Sequence, residues 1–163
     1  MDEIEESPFA NIALLGRRKG LDLVDMTGQE RLGRVPRTTF GVLDIVFTES
    51  TVVVTESGGP VSSYSLPDAK LTWRYTPPPD NHVVHLGYSE RTSEVFGISW
   101  PYKHGGDHTM LVFNRDTGGI IRRFVVRGYA GDFALAGSRL ITWAGHLIDM
   151  STGEVHSTLD FPQ

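Results

Sequence analysis

The chain has 163 residues, 39% of them apolar and 21% charged, with a net charge of -5 and no cysteine. That balance suits a globular domain with a core of its own and excludes disulfide and thiol chemistry. The acidic excess argues against nucleic acid as a partner, because phosphate binding needs clustered positive charge. No apolar run nears the ~20 residues of a membrane-spanning helix.

Residues 1–8, opening Met1-Asp2-Glu3-Ile4-Glu5-Glu6, read as an acidic tail. Such a start is the opposite of a basic signal-peptide head, so a soluble, cytoplasmic protein is expected. Residues 9–163 read as one domain of four repeats, about 9–37, 38–78, 79–128 and 129–163. The first offers three strands, Asn11–Gly16, Leu21–Asp25 and Arg31–Val35. The second offers four, Val42–Thr48, Thr51–Glu56, Val61–Leu66 and Leu71–Tyr75. The run Pro77-Pro78-Pro79-Asp80 follows and cannot pair centrally, since proline donates no N–H. The third is read as Val83–Tyr88, Val95–Trp100, Thr109–Asn114 and Ile120–Val126. The fourth is read as Phe133–Ala136, Arg139–Ala144, His146–Met150 and Val155–Asp160. That makes fifteen strands where four full units need sixteen, so the first repeat is expected to lack its inner strand.

A hairpin signal recurs before the last strand of each repeat: Asp25-Met26-Thr27-Gly28, Asp68-Ala69, Asn114 to Gly118 and Asp149 to Gly153. Asp or Asn caps the turn and glycine supplies the left-handed residue that closes it. Ala69 replaces that glycine in the second copy, which predicts a shorter or different turn there. Anchored at residues 28, 69, 118 and 153, the intervals are 41, 49 and 35, near the period of a four-stranded propeller blade. The expected fold is therefore all-β and β-propeller-like, about four repeats of four-stranded antiparallel sheets with the first incomplete. A β-sandwich or barrel is the rival.

The stretch Tyr64-Ser-Leu-Pro-Asp-Ala-Lys-Leu-Thr-Trp73-Arg-Tyr75 resembles a blade of the quinoprotein-like, PQQ-type propeller repeat, in which an Asp-containing turn and a Lys precede a docking Trp. Asn114–Gly119 and Asp149–Glu154 look like the same turn. Gly33, Arg122 and Ser157 stand where that Trp would be. The repeated Gly-His and Trp-Asp signatures of WD40 blades are absent. The resemblance implies a propeller but carries over no quinone, and no cofactor is expected.

The densest group of chemical side chains is His104-Gly105-Gly106-Asp107-His108, in the loop between two strands of the third repeat. Two imidazoles and a carboxylate suit a divalent metal, but a third or fourth protein ligand is not evident. The bland reading is a polar loop. His82 and His85 lie three apart, which on a regular strand sends them to opposite faces. Trp100 and Tyr102 stand at the strand end beside the His-rich loop. With His104, Asp107 and His108 they form the expected binding surface. No nucleophile elbow or phosphate loop is present.

These features predict a non-catalytic protein-binding module, with an acidic inhibitor or immunity-type protein as its sharper form. One alternative is a metal-dependent propeller hydrolase or lactonase using His104, Asp107 and His108. The other is a partial propeller that completes its ring as a homo-oligomer, because an open ring exposes unpaired surfaces.

Overall fold

The computed structural model describes residues 4–8, 11–17, 20–36, 41–101, 108–126, 133–136, 139–142 and 145–158. Those residues contain sixteen strands and no helix, arranged as four meandering antiparallel sheets in chain order. The first sheet holds β1 (Ile4–Glu6), β2 (Ile12–Arg17), β3 (Gly20–Asp25) and β4 (Glu30–Pro36). The second holds β5 (Val42–Phe47), β6 (Thr51–Glu56), β7 (Val61–Ser65) and β8 (Leu71–Tyr75). The third holds β9 (Asn81–Ser89), β10 (Glu94–Pro101), β11 (His108–Asn114) and β12 (Ile120–Val126). The fourth holds β13 (Phe133–Ala136), β14 (Arg139–Thr142), β15 (His146–Asp149) and β16 (Val155–Thr158). No helix among the described residues is long and apolar enough to cross a membrane.

The sheets are stacked face against face like pages, and the sequence dictates how. In Thr51-Val52-Val53-Val54-Thr55-Glu56 every residue is buried. β-branched side chains favour a strand here, and burial on both faces removes the apolar-polar alternation of a half-exposed sheet. Val52 and Val54 join Leu14, Leu21, Leu23, Val35, Phe47 and Tyr64 in a seam between the first and second sheets. Val53, pointing the other way, joins Val61, Trp73, Val83, Val95, Leu111 and Phe113 between the second and third. The third seam packs Val84, Phe96, Ile98, Met110, Val112 and Val126 against Leu140, Ile148 and Met150 of the fourth sheet. Burying each large side chain contributes roughly 1.5–3 kcal/mol, so three seams rather than one central core hold the chain together.

β9 lies against β5, β6 and β13, which places the first strands of the sheets together on the inside. The fourth strands lie outside, and all four residues of β16 are exposed. Polar links tie the inner strands of the second and third sheets. The Thr55 hydroxyl donates to the Val83 carbonyl (2.6 Å), and the Leu86 N–H donates to the Asp44 carboxylate (2.6 Å). Leu86 needs that acceptor because the β9–β10 register shifts between Phe96 and Ile98, with His85 at φ 53°. Such a bulge frees a backbone donor from the ladder.

Three expectations need correction. The first sheet is complete: Ile4–Glu6, inside the stretch read as an acidic tail, is its fourth strand and pairs with β2. The left-handed residue of the first turn is Gln29 (φ 55°), one past Gly28. The turn at Ala69 is of another type, as expected, since Leu66-Pro67 within it is cis, but it is not shorter, because Ala69 takes the left-handed conformation itself (φ 54°). Its N–H donates to the Ser65 carbonyl (2.9 Å), as Gly118 does to Asn114 (2.9 Å) and Gly153 to Asp149 (2.7 Å).

The outer strands share a further feature. Register shifts leave Leu32, Thr72, Ile121 and His156 as the extra residues at matching places in β4, β8, β12 and β16. Next to the bulge, Gly33, Trp73, Arg122 and Ser157 pair with the equivalent residues Leu23, Ser63, Val112 and Leu147. The four positions matched in the sequence are thus equivalent in the fold.

Candidate functional site

In a meander, successive connections alternate between the two ends of the sheet. One end of this molecule carries the tight turns. Asp149 shows how they are fixed: its carboxylate accepts from the Ser151 N–H (2.7 Å) and from the Ser151 hydroxyl (2.5 Å). Led by the hydroxyl, those bonds pull the Asp149 pKa down to about 2. At the same end a polar clamp joins the second and third sheets. The Arg115 guanidinium donates to Glu49 (2.9 Å) and to the Tyr88 hydroxyl (3.4 Å), and Tyr88 donates to Glu49. The Tyr88 bond, foremost, holds the Glu49 carboxyl below its ordinary range.

Docking at the turn end is side chain on glycine. The indole of Trp73 lies over Gly118, where an added Cβ would come within 2.5 Å of the ring, and its Nε1–H donates to the Arg115 carbonyl (2.6 Å). Trp73 also stacks on Phe113, with centroids 5.9 Å apart. One sheet on, the residue against Gly153 is Phe124, two beyond Arg122. Arg122 is instead held by Glu94 (2.7 Å).

The other end carries unlike connections. Gly58–Pro60 and Thr76–Asn81 line a shallow recess there, and β10 ends and β11 begins at the same end. Trp100, near the end of β10, stands opposite His82 at the start of β9. The two rings meet edge to face with centroids 6.3 Å apart. His108, the first residue of β11, meets the other side of the contact, its centroid 4.9 Å from that of Trp100 at 88°. His108 is buried and Trp100 half-buried, and Trp100 packs on the seam between the third and fourth sheets. Trp100 and His108 are therefore brought together as the sequence suggests. Tyr102, His104 and Asp107 lie outside the described residues, as does Trp143. Among the described residues no group of three His, Asp or Glu side chains converges as a metal site.

His82 is the member that sequence reasoning missed. The sequence sets it aside, because on a regular strand it and His85 face apart, whereas its neighbour is Trp100 across the β9–β10 ladder. Burial pushes its pKa down. A folded chain that resists protonating His82 loses stability as pH falls below the ordinary imidazole value near 6.5, and the loss levels off below the depressed pKa. The urea midpoint is expected to fall between pH 7.5 and 5.5, and His82→Gln should shrink that fall. An unchanged pH dependence in the variant would show that His82 stays accessible to protons.

No family model matches the chain, and no curated protein resembles it in sequence. Solved structures do match in fold. A computationally designed protein, Ika8, shares 16% identity with a TM-score of 0.75, over 98% of this chain and 50% of its own. BamB from Moraxella catarrhalis shares 16% with a TM-score of 0.70, over 94% and 50%. The Pan2 WD40 domain of Neurospora crassa shares 15% with a TM-score of 0.71, over 94% and 48%. The chain folds as part of a β-propeller. Its four sheets are blades, the rival sandwich and barrel do not apply, and it spans about half the length of these three chains.

Proposed function

We propose that this partial propeller is a non-catalytic protein-binding module that engages its partner through the loop end of the third blade. The observation that carries this reading is the position of Trp100. A large aromatic ring stands nearly perpendicular to two imidazoles, half-buried, at the end that carries the unlike connections. Rigid, partly exposed Trp is favoured at binding hot spots because it offers much contact area for little ordering entropy, and variable loops on a fixed scaffold are where propellers can differ in what they bind. The turn end suits the scaffold role, since its side chains are engaged with one another across the blades.

The acidic balance of the chain favours a basic partner, in the manner of an inhibitor or immunity-type protein, with association that weakens as salt rises. The test is capture with tagged wild type and Trp100→Ala at low and moderate salt, in a reducing cytoplasmic extract. One protein is expected in stoichiometric yield with the wild type, less at higher salt, and roughly 30-fold more weakly with Trp100→Ala. Equal capture by a folded Trp100→Ala chain would move the site elsewhere, and recovery of small molecules alone would overturn the reading.

A further inference from the structure

The four blades have eight faces, and the three seams use six of them. In the repeat register, Leu14 faces Leu23, Val53 faces Ser63 and Phe96 faces Val112 across equivalent strand pairs. All six side chains are buried, toward the blade that follows. The fourth blade places Ile141 and Leu147 at these positions, and both are only half-buried. The opposite face repeats too. Val52 with Tyr64, Val95 with Phe113 and Leu140 with Ile148 are buried against the preceding blade. On the first blade that place is held by Ala13, which is buried, and Val24, which is half-buried.

The two end faces complement each other in shape. The fourth blade presents two large aliphatic side chains, and the first presents Val24 beside the small, buried Ala13. Beside them on the first blade, Asp22 is paired with Arg34 through contacts of 2.7 and 3.1 Å, so the Asp22 carboxylate is already partnered where it would meet an apolar neighbour. No apolar cluster among the described residues joins the first blade to the fourth. The fit over 94% of this chain to about half the length of longer propeller chains suits four blades that make up about half a ring.

We propose that two copies of this chain close one eight-bladed ring, the Ile141–Leu147 face of each copy seated on the Ala13–Val24 face of the other. The arrangement is two-fold and closed, with the same heterologous seam formed twice. It concerns the end faces and does not depend on the loop-end site.

Sedimentation equilibrium at tens of micromolar is expected to give twice the chain mass. Leu147→Asp, which puts an unpaired charge into the new seam, is expected to weaken association by roughly 100-fold or more with far-UV circular dichroism unchanged. Because the chain has no cysteine, single-cysteine variants give a second reading that does not depend on that variant folding. Val24→Cys mixed with Leu147→Cys should form a disulfide-linked pair on mild oxidation, whereas neither variant should cross-link with itself. A single-chain mass at high concentration, species larger than two chains, self-linkage of one variant, or intramolecular closure of the double-cysteine chain would each overturn the proposal.

Discussion

Trp73→Ala is expected to be the most damaging single truncation among the described residues, lowering stability by about 3–5 kcal/mol. That is a large share of the roughly 5–15 kcal/mol typical of a domain. The indole is buried, stacks on Phe113, covers Gly118 and donates to the Arg115 carbonyl. The alanine variant loses packing at the second seam and leaves that carbonyl without its indole donor. Trp73→Phe keeps much of the packing and loses the hydrogen bond, so a smaller loss of about 1–2 kcal/mol is expected. Urea unfolding checks both. A loss under about 1 kcal/mol for Trp73→Ala would mean that the indole does not bridge the two blades.

Gly118→Ala is the second. The residue sits at φ +68°, where a Cβ costs about 1–2 kcal/mol, and that Cβ would meet the Trp73 ring at 2.5 Å, adding an overpacking cost of about 1–3 kcal/mol. The two costs separate in a double-mutant cycle. In a Trp73→Ala background the clash is gone, and Gly118→Ala should cost only the backbone share. Equal losses in both backgrounds would show that indole and turn are not in contact. The first seam explains why Ala69 is tolerated at the equivalent place. There the facing strand residue is Gly33, whose missing Cβ would lie 2.8 Å from the Cβ of Ala69. The slot takes bulk from the strand or from the turn, and each seam divides it differently.

That division explains what the sequence could and could not reveal. The turns at Asn114 and Asp149 were legible because their chemistry is local: a capping side chain, then glycine at the left-handed position. Left-handed non-glycine residues such as Ala69 and Gln29 leave no such mark, and Ala69 is accommodated because the facing strand residue is Gly33. β1 was missed because Ile4-Glu5-Glu6 is acidic and too short to show alternation, so its pairing is set by β2. The docking Trp73 was legible from its distance to the turn. Phe124 was not, since Arg122 occupies the equivalent register and the ring reaches Gly153 from two residues further on.

The site was legible in part. Trp100 and His108 stand on either side of a loop whose composition announced it. His82 is distant in sequence and reaches Trp100 only through the β9–β10 ladder, whose bulge at His85 breaks the alternation used to place it. Periodicity places a side chain on a face only while the strand is regular.

The most direct measurement of the central claim is a methyl-resolved nuclear Overhauser spectrum of the valines in β6. Stacked blades predict that Val52 and Val54 contact Leu14, Leu21 and Leu23 of the first blade, while Val53 contacts Val83 and Val95 of the third. If one of these two sets showed no contacts beyond its own sheet, β6 would have a solvent face. The chain would then be a sandwich or barrel rather than part of a propeller.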